Sequence, residues 1–139
     1  MGTLQTYTSY SETDTASRLT VATNTLTITS LDTDEDMRLT KDFTASYFSG
    51  DFEHTIKINV TVGTGAESCY VWAVTNSIAN PLGTLRTAAT DMLALQWLDG
   101  TLVLVEVETS TYTDTSSALS LATDYYLRVV RDEAVGTYG

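Results

Sequence analysis

The chain has one cysteine, one proline and one histidine, and no apolar run in it approaches the length of a membrane-spanning helix. A single cysteine, Cys69, excludes an internal disulfide, and its place inside an apolar run marks it as a small hydrophobe rather than a reactive thiol. A single histidine, His54, excludes a His-rich zinc site, and no Gly-x-Ser-x-Gly motif supplies a nucleophile for it to serve. Positive charge is scarce. Lys and Arg number 7 against 18 Asp and Glu, and the net charge of -11 opposes binding to nucleic acid or to anionic lipid, both of which would repel it. Partners are expected to be neutral, cationic or another copy of the chain. The opening Met1-Gly-Thr-Leu-Gln-Thr-Tyr-Thr-Ser-Tyr-Ser-Glu has neither a basic nor an apolar segment and does not read as a signal peptide. Asn59-Val-Thr61 matches a glycosylation sequon, a short pattern that reads as chance inside a strand.

What the chain does have is period-two hydrophobicity between turn signals. Its 139 residues are one domain's worth, enough to bury a core without disulfides or metal. Residues 1–16 are Thr, Ser and Tyr with little apolar periodicity and predict an extended N-terminal arm or linker; residues 17–139 predict the folded body. Leu19 and Val21, Leu26 and Ile28, and Met37 and Leu39 alternate with polar residues as short strands do. From Phe52 to Val62 the alternation is cleanest: Phe52, His54, Ile56, Ile58, Val60 and Val62 share one face, and Glu53, Thr55, Lys57, Asn59 and Thr61 share the other. After a turn at Gly63-Thr-Gly65-Ala66, Ser68-Cys-Tyr-Val-Trp-Ala-Val74 is apolar on both faces, which predicts a central strand covered on both sides.

Residues 76–90 hold the only proline, Pro81, and no period, which predicts a long loop. Met92-Leu-Ala-Leu-Gln-Trp-Leu98, Asp99-Gly100 and Thr101-Leu-Val-Leu-Val-Glu-Val107 then predict a hairpin, because Asp-Gly suits a type I′ turn with positive φ at both turn residues. A two-residue turn pairs Leu98 with Thr101, Trp97 with Leu102 and Leu95 with Leu104. Asp124-Tyr-Tyr-Leu-Arg-Val-Val-Arg-Asp132 reads as a buried strand. About eight or nine strands and no long amphipathic helix predict an all-β, two-sheet antiparallel sandwich.

Gly50-Asp-Phe-Glu-His54, Tyr70-Val-Trp-Ala-Val74, Leu93-Ala-Leu-Gln-Trp97 and Thr123-Asp-Tyr-Tyr-Leu-Arg-Val-Val-Arg-Asp132 together resemble the concanavalin A-like, laminin-G-like jelly-roll domains found in phage and metagenomic virion proteins. The resemblance spans roughly residues 18–132 and rests on strand order and local motifs. It implies a jelly roll in which a further strand normally follows the Tyr-Tyr-Leu-Arg-Val strand. Glu133-Ala-Val-Gly-Thr-Tyr-Gly139 stands in that place, so the sequence predicts a sandwich without its final strand: either the chain is truncated, or the strand comes from another polypeptide at an open edge. Leu4, Thr6, Thr8 and Tyr10 of a neighbouring copy's arm are one candidate for it.

Four groups of residues bear on chemistry. Glu106 and Glu108 lie two apart on a predicted strand and point the same way, about 7 Å apart. Glycosidases that share the jelly-roll fold carry a Glu-x-Asp-x-x-Glu or Glu-x-Asp-x-Glu run, and Glu106-Val-Glu-Thr-Ser-Thr111 has neither its Asp nor its last Glu, so no catalytic residue and no enzymatic activity is assigned. Asp32, Asp34 and Asp36, with Glu35, offer alternate carboxylates of the kind calcium prefers, although an EF-hand is excluded by the missing glycine and distal Glu; an acidic turn explains them equally. No other cofactor is implied. Trp72 and Trp97 sit among apolar neighbours and read as core, whereas Tyr47, Phe48, Tyr112 and Tyr138 lie near turns, where an aromatic ring can stack on a sugar or line a protein interface. Tyr47 and Tyr112 are the carbohydrate candidates.

Two functions fit. The first is a non-catalytic structural or attachment module of a virion or extracellular assembly, working through self-association or a partner strand. The second is a lectin-like carbohydrate-binding module using loop 76–90 and Tyr112.

Overall fold

The computed structural model describes residues 6–29, 37–43, 48, 50–63, 68–77, 91–108, 111–132 and 137–138. Apart from one 3-10 turn at Tyr7–Ser9, every regular element among them is a strand: β1 (Ser11–Asp14), β2 (Leu19–Val21), β3 (Leu26–Ile28), β4 (Met37–Thr40), β5 (Phe52–Ile58), β6 (Ser68–Thr75), β7 (Asp91–Leu98), β8 (Thr101–Glu108), β9 (Thr111–Ala118), β10 (Tyr125–Asp132) and β11 (Thr137–Tyr138). All the pairings are antiparallel. The all-β, antiparallel class predicted from the alternation is the class observed.

The chain divides into two compact units, Met1–Lys41 with Gly63–Leu119, and Asp42–Val62 with Ser120–Gly139. The first unit contains a four-stranded meander, β6-β7-β8-β9, and two two-stranded ribbons, β1-β4 and β2-β3. The hairpin at its centre has the register that Asp-Gly imposes: Leu98 faces Thr101, Trp97 faces Leu102 and Leu95 faces Leu104. Asp99 and Gly100 have φ of 42° and 81°, the left-handed pair that a type I′ turn requires. One face of the sheet carries the buried cluster Met92, Ala94, Val103, Val105 and Val107, with Tyr70 packed against it. Within that cluster Val105 is the largest fully enclosed side chain.

Two sequence readings need correction in this unit. β6 is not the central strand; it lies at the sheet margin, half-buried at most positions, and its ladder slips between Tyr70 and Trp72 so that Val71 bulges out of register. The strand buried on both faces is β7, where Ala94 and Gln96 face one way and Leu95 and Trp97 the other. The predicted arm is docked from Tyr7 onward. Its 3-10 turn hydrogen-bonds to Thr23, β1 pairs with β4, and the Asp14 carboxylate accepts the backbone N–H groups of Arg18 and Leu19 at 2.9 and 2.7 Å. Thr8 lies in the 3-10 turn, so Thr6, Thr8 and Tyr10 do not present one extended face, and Leu4 lies outside the described residues. Over both units the strands number eleven among the described residues rather than eight or nine, because β1, β9 and β11 lack the apolar alternation on which the sequence count rests.

The second unit contains a three-stranded sheet in the order β11-β10-β5. β5 and β10 pair over seven positions, from Tyr125 opposite Ile58 to Arg131 opposite Phe52. β11 follows β10 where the sequence predicts no further strand, but it pairs with only two positions, Arg131 and Asp132. β10 is not buried throughout: its exposure alternates, with Val129 enclosed and Tyr126 70 % exposed. β5 ends at Ile58, short of the predicted Val62, which is exposed.

Candidate functional site

The densest arrangement of polar and aromatic groups among the described residues is built on β5 and β10. Period-two alternation sends Phe52, His54, Ile56 and Ile58 to one face of β5 and Glu53, Thr55 and Lys57 to the other. On the first face Phe48 packs edge-on against Phe52 and against His54, with ring centroids 5.4 and 5.8 Å apart, and Phe43 packs edge-on against Phe48 at 5.3 Å. Burial in this apolar nest lowers the His54 pKa below its ordinary 6.5, which favours a neutral imidazole, as expected for a lone histidine on an apolar face.

The second face carries a row of opposite charges. Arg128 donates to Glu53 at 2.8 Å, and Lys57 approaches Asp124 at 2.8 Å. Asn59 donates to the other oxygen of Asp124 at 2.7 Å, and the Lys57 ammonium sits 5.9 Å from the centre of the Tyr126 ring. These contacts hold the carboxyls of Glu53 and Asp124 below their ordinary range, the first through Arg128 and the second through Lys57 and Asn59. They also raise Lys57 and Arg128. The turn leading into β10 is tied back to the same sheet. Ala122 donates its N–H to the Val60 carbonyl at 2.7 Å, and the Tyr125 hydroxyl accepts the Ser120 N–H at 2.8 Å. At the far end Arg131 donates to the Gly50 carbonyl at 2.7 Å. The sheet is therefore tied at both ends, and its second face is locally charge-balanced, unlike the strongly acidic chain as a whole.

Both edges of this sheet have open length. β5 has β10 on one flank and no strand on the other among the described residues, and β10 is covered on its second flank only at Arg131 and Asp132. In an antiparallel ladder alternate residues direct their N–H and C=O groups to opposite flanks, so an unpaired flank presents a regular series of donors and acceptors.

Of the residues singled out in the sequence, His54 and Phe48 lie on the first face of this sheet, and the others fall elsewhere. Asp32, Asp34, Glu35, Asp36 and Tyr47 lie outside the described residues, as does the predicted loop from residue 78 to residue 90. Tyr112 stands in β9 opposite Val107, and Tyr138 in β11 opposite Arg131. Glu106 and Glu108 are both exposed on β8, with Leu93 and Asp91 opposite them on β7. Trp97 is core at 2 % exposure; Trp72 is half-buried, and Cys69 is half-buried opposite Trp97. Among the described residues no group of three or more His, Cys, Asp or Glu is arranged to hold a metal ion, and no helix is long and apolar enough to cross a membrane. Tyr126, Asp124 and Arg128 escape the sequence reading as surface groups because that reading takes their whole segment as a buried strand. The signal was present in the alternation of Tyr126, Arg128 and Val130 with Tyr125, Leu127 and Val129. No family model matches the chain, and neither curated proteins nor solved structures give a match.

Proposed function

We propose that this chain is a non-catalytic structural or attachment module that works through protein–protein contacts made at sheet edges, in a virion or another extracellular assembly. The observation that carries this reading is the three-stranded sheet of the second unit, with a full flank of β5 and most of a flank of β10 carrying no strand among the described residues. Strand addition to such a flank satisfies the backbone groups directly, and side chains on the two faces then set the specificity. The acidic chain suits a building block that stays soluble before it assembles. The antiparallel sheets are the material of a jelly-roll sandwich, and we extend the proposal to that architecture. Molar mass measured by light scattering over a concentration series tests it: discrete oligomers are expected, and a monomer at every concentration would refute it.

A carbohydrate-binding reading has one observation in its favour, the exposed Tyr126 ring flanked by Lys57, Asp124 and Arg128. An aromatic face among hydrogen-bonding groups is the composition of a sugar platform. A glycan array with wild type and Tyr126→Ala tests it: this reading requires glycan binding that the variant loses.

A further inference from the structure

The flank of β5 that carries no strand among the described residues has a sequence complementary to itself. The strand reads Phe52-Glu-His-Thr-Ile-Lys-Ile58, with Thr55 at its midpoint and Glu53 and Lys57 placed symmetrically about it. When two copies of a strand pair antiparallel about a two-fold axis and continue one sheet, residues directly opposite each other must share a face, so the axis passes through a residue. An axis at Thr55 pairs all seven residues of each strand and sets Glu53 of each copy opposite Lys57 of the other. On the opposite face it sets Phe52 against Ile58 and His54 against Ile56. Other axes are poorer. At Glu53 or Lys57 they place like charges directly opposite, which is destabilising. At His54 or Ile56 they leave two residues of each strand unpaired and set Thr55 against Glu53 or Lys57.

The existing ion pairs are compatible with this register. Arg128 bonds to one oxygen of Glu53, Oε2, and the Lys57 ammonium, with three donors, approaches Asp124. Across the seam the charges would run Arg128, Glu53, then Lys57 and Asp124 of the second copy, alternating in sign.

We propose that the partner for this edge is a second copy of the chain, paired β5 to β5 about a two-fold axis at Thr55 with reciprocal Glu53–Lys57 contacts. The inference rests on the edge-pairing function proposed above and adds its partner, strand and register.

Two single charge reversals and their mixture test it. Glu53→Lys alone sets two lysines opposite two lysines across the seam, and Lys57→Glu alone sets glutamates opposite glutamates. Turning two attractive cross-strand charge pairs into repulsive ones raises the dimer Kd roughly tenfold or more. An equimolar mixture of the two variants restores both opposite-charge pairs in the heterodimer, and light scattering is expected to show dimer mass returning on mixing. That rescue separates a seam effect from a folding defect, because mixing two misfolded variants repairs neither. Wild type that stays monomeric at every concentration would overturn both this inference and the edge-pairing function. Wild-type oligomers that either reversal leaves intact, or that mixing fails to restore, would overturn the Thr55 register while leaving edge pairing standing.

Discussion

Gln96 is a buried polar residue beside the hydrophobic cluster of the first unit, and replacing it tests how that core is held together. It is 3 % exposed on β7, between Tyr70 on β6 and Val103 on β8. Its Nε2 donates to the Ser68 hydroxyl at 2.6 Å, while its Oε1 is buried without a hydrogen-bond partner. An unsatisfied buried carbonyl costs about 1–3 kcal/mol, and a hydrogen bond such as that to Ser68 returns about 0.5–1.5 kcal/mol. Gln96→Met keeps the length and approximate volume of the side chain and removes both terms. Ser68 is half-buried, so its hydroxyl is within reach of water once Gln96 is gone. The balance is a stabilisation of about 1 kcal/mol, less whatever strain the sulfur introduces; a volume-conserving swap costs under about 1.5 kcal/mol. Urea denaturation followed by tryptophan fluorescence reads this unit, because Trp72 and Trp97 both lie in it. The expected result is a midpoint equal to or above that of wild type. A loss above roughly 1.5 kcal/mol would refute the reasoning, because it would show that both ends of the amide are satisfied in the folded protein.

Three further outcomes are expected. Val105→Ala removes two methyl-sized groups from a fully enclosed position of the cluster, and denaturation should show a loss of about 2–3 kcal/mol; a loss under about 1 kcal/mol would mean that the site collapses freely. Gly100→Ala forces a side chain into φ of 81° in the hairpin turn and should cost about 1 kcal/mol in the same assay, although nothing lies within 4 Å of the added carbon. His54 has a folded pKa below its ordinary 6.5, so the unfolded chain binds the proton more tightly. Its contribution is fully present above the unfolded pKa and falls as pH drops through 6.5 toward the folded value. Urea midpoints measured from pH 8 to pH 5 should therefore decline in wild type and decline less in His54→Phe; parallel curves would contradict the assignment.

The sequence carried most of the local order, and its failures share a cause. The β7–β8 hairpin was legible to the residue because Asp-Gly fixes the turn type and the turn type fixes the register. β5 was legible because strict alternation admits one assignment of faces. β6 and β10 were misjudged because apolar composition was read as burial. An edge strand can carry Val, Trp and Ala and stay half-open, and a tyrosine can be apolar in composition yet exposed. β9 passed unnoticed since Thr111-Tyr-Thr-Asp-Thr-Ser-Ser-Ala118 has no apolar alternation, being the margin of its sheet, although its threonines at every second position are a strand signal. The candidate site was illegible for another reason. The Glu53–Arg128 contact joins residues 75 apart in sequence, and only the pairing of β5 with β10 brings them together.

Amide hydrogen exchange along β5, measured in dilute and in concentrated solution, tests the central claim most directly. Alternate β5 amides point away from β10, on the flank that carries no strand among the described residues, while the others are bonded to it. The account predicts that this outward-facing set exchanges quickly when dilute and becomes protected as concentration rises, with Glu53→Lys abolishing the change. Protection along β5 that is the same at every concentration would contradict it.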